Sequence, residues 1–369
     1  MSSKFYRPLN LERDEIRLIV LQPGKGDDIV QVSIIHAFLS ENPKYEALSY
    51  VWGDPKITIA IQLVKTRNQI NRLWRSRHES HTEFQATTNL ECAMRHLRYK
   101  NKSRTLWVDA ICINQADELE KGHQIQRMGD IYREAVQVCL WLGEAAYSSD
   151  AAMELFETYY GSSEMRREEL LYSPDWSLHW KAVLYLAGRP WFTRRWIVQE
   201  VVLASKSTVY CGNKSTHWGA LFYVFTAFHM ALHQNLNGMG SRTPYFLQNW
   251  RIPQKEGKAY TDGFRQISDT SSAIIALRTS GSAPLAQLLS LFFDKQVTNP
   301  RDAVLAVLGL AEENRTIKWM TDSSLFSIQS VFMAAVEISI FGGRSLDIML
   351  LLQGWAYAPS GVEGPGRPN

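Results

Sequence analysis

Residues 106–143 constrain the fold more than any other stretch of this chain. LWVDAICI (106–113) is an unbroken apolar run of strand length, and VQVCLWLG (136–143) is a second one. Between them, ADELEKGHQIQRMGDIYREA (116–135) places Ile125, Met128, Tyr132 and Ala135 at helical spacing, with acids in its first turn. Strand, helix and strand in that order predict a βαβ unit. Its strands are expected to be parallel with a right-handed crossover, because a right-twisted strand leads its helix back onto the sheet only that way.

The flanking sequence extends the pattern. YEALSYVWGDP (45–55) reads as a short strand ending in a Gly-Asp-Pro turn, 57–64 is rich in β-formers, and TTNLECAMRHLRY (87–99) reads as a helix capped by Asn89. Residues 150–160, 176–188 and 190–205 read as helices, the last opened by Pro190, and KSTVYCG (206–212) as a strand. Alternating strands and helices predict an α/β domain with an open, mostly parallel sheet and flanking helices over 45–212. Before it, 15–39 reads as a β-hairpin around PGKGDD, within an extension spanning 1–44. PGKGDD lacks the spacing of a phosphate loop. After it, 213–355 reads as mainly helical, with helices at 217–234, 282–293, 299–311 and 322–341, a long loop over 235–270 and a strand near 346–354. Asn299 and Pro300 are suited to start the third of these helices. The tail 356–369 has a disordered composition.

Composition excludes several function classes. Forty basic residues against 37 acidic ones, with no basic stripe, argue against nucleic-acid binding. No apolar run approaches the ~20 residues of a membrane span, and the N-terminus lacks an apolar leader, so a cytoplasmic protein is expected. The four cysteines are scattered, which suits a reducing compartment. HESH (78–81) has no convincing further ligand, so no metal site is expected there. Twelve tryptophans predict thick cores or adhesive interfaces.

Three places put unusual polar groups at strand ends, where open parallel sheets bind ligands. The first holds Ser49, Tyr50, Trp52, Gly53 and Asp54, the second Asp109, Cys112, Asn114 and Gln115, and the third Arg194, Arg195, Trp196 and Glu200. Asp109, in an apolar run, is read first as the partner of an arginine such as Arg194 or Arg195, and second as a pocket group. Asn114–Gln115 is read first as a helix cap supplied by Asn114, and second as placing Gln115 toward a pocket. Glu200 has Trp196, Ile197, Leu203 and Ala204 as its helical neighbours. It is either an arginine's partner or a pocket carboxylate, and the residues leave both readings open. Burial raises its pKa and a nearby arginine lowers it.

The blocks YEALSYVWGD, LWVDAICINQADELEKGHQIQRMGDIYREAVQVCLWLG and RPWFTRRWIVQE resemble the three signature blocks of the fungal heterokaryon-incompatibility (HET) domain, in order, and NPRDAVLAVLGLA resembles a segment that often follows it. The resemblance implies a role in fungal non-self recognition and regulated cell death. HET domains are remotely similar to Toll/interleukin-1-receptor (TIR) domains, which have a flavodoxin-like sheet and in many cases cleave NAD. The TIR glutamate lies in a W-x-x-x-E pattern, matched here by Trp196 to Glu200. The resemblance therefore implies Glu200 as the catalytic carboxylate and NAD as a substrate, with no cofactor. It implies stacking by Tyr50, Trp52 or Trp196, a pyrophosphate contact from Arg194 or Arg195, and pocket positions for Ser49 and Asp109. It also implies a homo-oligomer on activation and a protein partner in the incompatibility system. The insertion between 143 and 190 and the stretch 57–86 depart from the TIR pattern. The alternative is an adaptor that self-associates without catalysis, in which Glu200 only pairs with arginine.

Overall fold

A computed structural model describes residues 6–64, 82–236, 243–248, 267, 269–313 and 328–342. The strands among them form one nine-stranded sheet: β1 (Glu15–Leu21), β2 (Gln31–Phe38), β3 (Glu46–Ser49), β4 (Thr58–Leu63), β5 (Thr82–Thr87), β6 (Arg104–Trp107), β7 (Gln137–Trp141), β8 (Ser207–Cys211) and β9 (Lys214–His217), in the spatial order β5-β4-β2-β1-β6-β3-β7-β8-β9. The α/β class and the open sheet are as expected, and the sheet as a whole is mixed. Its centre, β6-β3-β7-β8, is entirely parallel. Counted along the chain, those four strands lie in the order 2-1-3-4, the doubly wound order of flavodoxin-type sheets. The hairpin β1–β2 does not stand apart, because β1 pairs antiparallel with β6 through Ile19 and Leu106. β9, unforeseen in the sequence, closes the far side antiparallel to β8.

The predicted βαβ unit exists, with one change. β6 ends at Trp107, and 109–112 turns into a short helix, α2 (Asp109–Cys112), instead of continuing the strand to 113. Apolar content alone does not separate a strand from a buried helical turn. Here the turn closes on itself: the Val108 N–H donates to Cys112 Sγ at 3.3 Å, and the Cys112 N–H to the Val108 carbonyl at 2.7 Å. The crossover helix α3 (Glu118–Glu134) is capped by Asp117, whose carboxylate accepts from the N–H groups of Leu119 and Glu120, and not by Asn114. α1 (Thr88–Leu97) joins β5 to β6. Asn89 does not cap it. Its amide donates to the Val51 carbonyl and accepts from Trp141 Nε1, which pins the loop after β3.

Between β7 and β8 lies a helical layer of α4 (Ser149–Gly161), α5 (Glu164–Tyr172), α6 (Ser177–Ala187) and α7 (Ile197–Val202), backed by α8 (Trp218–Leu236) and α9 (Tyr245–Gln248). Aromatic rings join it. Trp180 stacks on Phe246 at 5.3 Å and meets Tyr159 edge-on, while Phe225 meets both Phe156 and Phe192 edge-on. Each such ring buries a large apolar area, with about 0.5–1.5 kcal/mol more from the ring–ring geometry. The helix expected over 190–205 is broken in two. Pro190–Thr193 forms a 3₁₀ turn, Arg194 is extended (φ −69°, ψ 138°), and α7 begins only at Ile197.

The break arises because the later chain pairs with it. Gln296 bridges Arg194 in parallel fashion, with the Gln296 N–H donating to the Thr193 carbonyl at 2.7 Å and the Arg195 N–H to the Gln296 carbonyl at 3.1 Å. Further helices in this region are 269–280, Leu285–Leu291, Asp302–Leu308 and Ile328–Glu337. Asn299 and Pro300 lie in a turn ahead of the third, which starts two residues later than expected. The strand near 346–354, the tail 356–369, HESH (78–81) and most of the loop 235–270 lie outside the described residues. All four cysteines are free thiols.

Candidate functional site

The centre of the sheet is also its switch point. From β3 the chain passes to β6 on one side and then to β7 on the other. A crevice therefore opens outside the carboxyl ends of these strands, the usual place for ligands in such sheets. The structure has a cleft of about 700 Å³ in this region, within the ~300–1,000 Å³ of small-molecule sites. Val51, Trp52 and Gly53 reach it from the loop after β3, Asp109 and Gln115 from the end of β6, and Arg194 and Trp196 from the segment before α7. Gly53 has φ +80°, a conformation that strains any L side chain, so the turn there favours glycine.

Six of the thirteen residues singled out in the sequence, Trp52, Gly53, Asp109, Gln115, Arg194 and Trp196, thus line one cleft. Trp52 is 42% exposed and donates its indole N–H to Asp109 Oδ2 at 2.7 Å, while the Ala110 N–H donates to Asp109 Oδ1. Burial raises the Asp109 pKa, and the Trp52 bond and the Arg194 charge draw it back down. Gln115 Nε2 donates to the Asp109 carbonyl at 3.0 Å, which closes the turn that presents Asp109.

Glu200 lies behind the cleft wall and not in it. It is 1% exposed. Ser49 Oγ donates to its Oε2, and Trp191 Nε1 donates in turn to Ser49 Oγ at 2.9 Å. Arg194 Nη2 stands 3.6 Å from Glu200 Oε1. Burial pushes the Glu200 pKa up, the Arg194 charge and the Ser49 hydrogen bond pull it down, and the Asp109 charge pushes it up again. Arg194 therefore has two faces: its side chain lines the cleft and also covers the buried carboxylate. Its Nη1 is buried and has no hydrogen-bond partner among the described residues.

Ser49 and Tyr50 are buried behind the same wall, Tyr50 close enough to Asp109 for the two groups to shift each other's pKa. Cys112 is sealed in the core, where burial pushes its thiol up to about 12. Asn114 is used locally: its N–H donates to Glu120 Oε1 and its side chain accepts from the Ala116 N–H. Arg195 points away from the cleft into the later helices, donating to the Leu289 carbonyl at 3.3 Å, and burial lowers its pKa to about 10. A pyrophosphate contact is therefore open to Arg194 and closed to Arg195. The extended backbone at Arg194 sends the two adjacent side chains apart, Arg194 into the cleft wall and Arg195 into the later helices.

Several lining groups gave no sequence signal of function. Lys121 of α3 was read as part of an amphipathic helix, and Gln296, Asn299, Arg301 and Asp302 as a linker and a helix start. Among the described residues, no group of three His, Cys, Asp or Glu side chains is placed to hold a metal ion. No described helix is long and apolar enough to cross a membrane.

The chain matches the family model described as "Heterokaryon incompatibility protein (HET)" over residues 45–200. It is similar to "Heterokaryon incompatibility protein 6, OR allele" of Neurospora crassa, with 31% identity over 234 residues, which cover 54% of this chain and 33% of that relative. The matched stretch thus spans about a third of the relative's length. No solved structure matches the chain.

Proposed function

We propose that this chain is an effector of fungal non-self recognition and regulated cell death whose HET cleft takes NAD, with Glu200 as the carboxylate that supports cleavage of the nicotinamide–ribose bond. The observation that carries this reading is the position of Arg194. One guanidinium forms part of the wall of a nucleotide-sized cleft and is also the ion-pair partner of the buried Glu200. A ligand phosphate that recruits Arg194 forms a charge-assisted hydrogen bond and leaves Glu200 uncovered beside the bound sugar. Nicotinamide then departs as a neutral base with the bonding electron pair. The oxocarbenium-like sugar that remains is stabilised by a nearby carboxylate, as in glycoside cleavage. Water adds at the anomeric carbon and releases a proton, giving ADP-ribose. Trp52 and Trp196 offer rings for stacking.

A second reading is favoured by the 1% exposure of Glu200 and its bonds to Ser49 and Arg194. On that reading the glutamate is purely structural and the domain is an adaptor that self-associates. The two separate in one experiment: purified protein at high concentration is incubated with NAD, and nicotinamide is quantified for wild type and Glu200→Gln. The hydrolase reading expects release from wild type and at least a hundredfold less from the variant. Equal release removes Glu200 from the chemistry, and no release from wild type at any concentration selects the adaptor. Both readings place the protein in the cytoplasm, as a homo-oligomer on activation, with a protein partner from the incompatibility system.

A further inference from the structure

The cleft is balanced in charge. Asp109, Glu118 and Asp302 line it together with Lys121, Arg194 and Arg301, and the buried Glu200 pairs with Arg194 from behind the wall. The opposite wall, from Gln296 to Asp302, lies beyond the HET match, which ends at residue 200. Net charge therefore selects neither an anion nor a cation. A ligand has to be read through directed hydrogen bonds and ring contacts.

Asp109 is the acceptor best placed to read one. Glu118 is exposed and pairs with Lys121 at 3.4 Å. Asp302 takes a hydrogen bond from Trp196 and lies in the field of Arg301, Lys121 and Arg194. Asp109 is held by neutral donors instead: Trp52 Nε1 on Oδ2 and the Ala110 N–H on Oδ1, both at 2.7 Å, with the Tyr50 hydroxyl on its buried side. The Gln115 bond to the Asp109 carbonyl, at 3.0 Å, fixes the turn that carries it. A carboxylate accepts about four hydrogen bonds, so acceptor capacity remains toward the cleft that Asp109 lines. The place in the sheet agrees. β6 is the second strand of the parallel centre and the neighbour of the first, β3, and Asp109 stands just past its end at Trp107. In doubly wound sheets that bind dinucleotides, an acidic side chain accepts from the ribose 2′-hydroxyl. A ligand anion here would meet the charge of Asp109 itself, and a ligand cation would meet Arg194, whose charge already acts on Asp109. A pair of neutral hydroxyls meets neither.

We propose that Asp109 is the specificity-determining residue of this cleft, its carboxylate accepting from the vicinal hydroxyls of a ribose, so that the site takes ribosides and rejects their 2′-deoxy counterparts. The assignment rests on the reading that the cleft takes a nucleotide, and it adds the group by which the sugar is recognised. Glu200, 1% exposed behind the wall, does not supply this contact. A dinucleotide carries the same diol on both of its sugars, and the probes below separate the two.

The test uses the full chain and three probes: ADP-ribose, its analogue lacking the 2′-hydroxyl on the adenosine ribose, and its analogue lacking the 2-hydroxyl on the terminal ribose. Binding is followed by calorimetry at two salt concentrations. Wild type is expected to bind ADP-ribose and to hold one of the two analogues about tenfold more weakly or worse, the worth of one hydrogen bond to a charged acceptor. The weaker analogue identifies the sugar that Asp109 holds. The ratio should not change with salt, because the missing hydroxyl carries no charge. Asp109→Asn, which replaces an acceptor oxygen by a donor, should bind ADP-ribose as weakly as that analogue, so the ratio collapses. Gln115→Ala leaves the carboxylate but frees its turn and should narrow the ratio; it carries the test if thermal midpoints show that Asp109→Asn does not fold. Failure of wild type to bind ADP-ribose at millimolar concentration would overturn the proposal. So would equal binding of all three probes, or a ratio that Asp109→Asn, or in its place Gln115→Ala, leaves at the wild-type value. Nicotinamide release from NAD is read separately. Equal release by wild type and Glu200→Gln removes Glu200 from the chemistry and leaves the diol site standing, whereas equal binding of the three probes removes the diol site and leaves the hydrolase reading to its own assay.

Discussion

Replacing Arg194 by methionine tests the central contact directly. The guanidinium stands 3.6 Å from the Glu200 carboxylate. At an effective dielectric of about 20, that separation corresponds to roughly 4–5 kcal/mol of attraction. Desolvation of both groups offsets part of it, and Arg194 retains 20% of its side-chain exposure, so the net loss at alkaline pH should be about 2–3 kcal/mol. For a chain of this size that corresponds to a fall of about 3–4 °C in the thermal midpoint. The loss must depend on pH in a definite direction. Burial already holds the Glu200 pKa in the folded state above its unfolded value. Its contribution is therefore complete below the unfolded carboxylate pKa and declines as pH rises through the folded value. Removing Arg194 raises the folded value further, so the variant should be close to wild type near pH 4.5 and fall progressively behind it toward pH 8. Glu200→Gln removes the buried charge and should restore most of the stability in the double variant, with a coupling of about 2 kcal/mol in the cycle. Differential scanning fluorimetry across pH reads all four proteins. Equal deficits at acid and alkaline pH, or the absence of coupling, would refute the ion pair as described.

Three further substitutions probe the frame around the site. Arg17 is fully buried and holds Glu120 through two bonds of 2.5 and 2.8 Å; Arg17→Met should destabilise by about 3–5 kcal/mol because it strands a buried carboxylate, and an unchanged urea midpoint would contradict that. Gly212 has φ +52°, and an added Cβ would lie 2.9 Å from the Ala145 backbone nitrogen; Gly212→Ala should cost about 1–3 kcal/mol, measured by denaturant unfolding, and a neutral result would mean the β8–β9 turn can relax. Trp52→Phe removes the 2.7 Å bond to Asp109 and should cost about 1 kcal/mol. Asp109 already has a raised pKa, and losing this donor raises it more. This deficit should also grow with pH, and one that shrinks with pH would show that the bond does not favour the carboxylate.

Periodicity and residue type were enough to specify the βαβ unit, the N-terminal hairpin, the helices at 149–161 and 177–187, and the gathering of Trp52, Asp109, Gln115, Arg194 and Trp196 at strand ends. Those features depend on local spacing and on the handedness of the crossover, which short stretches of chain encode. The two readings of Glu200 could not be separated in the same way, because its helical neighbours are apolar under both. Only the folded chain decides that Arg194 turns toward Glu200 while Arg195 turns away to Leu289. The deciding contact is Gln296, about a hundred residues on, whose main-chain bonds hold Arg194 extended where propensity favours a helix. The opposite wall of the cleft was invisible for the same reason. Lys121, Arg301 and Asp302 are ordinary helix-surface and helix-start residues in sequence, and they become a site only where separate segments are packed against one another.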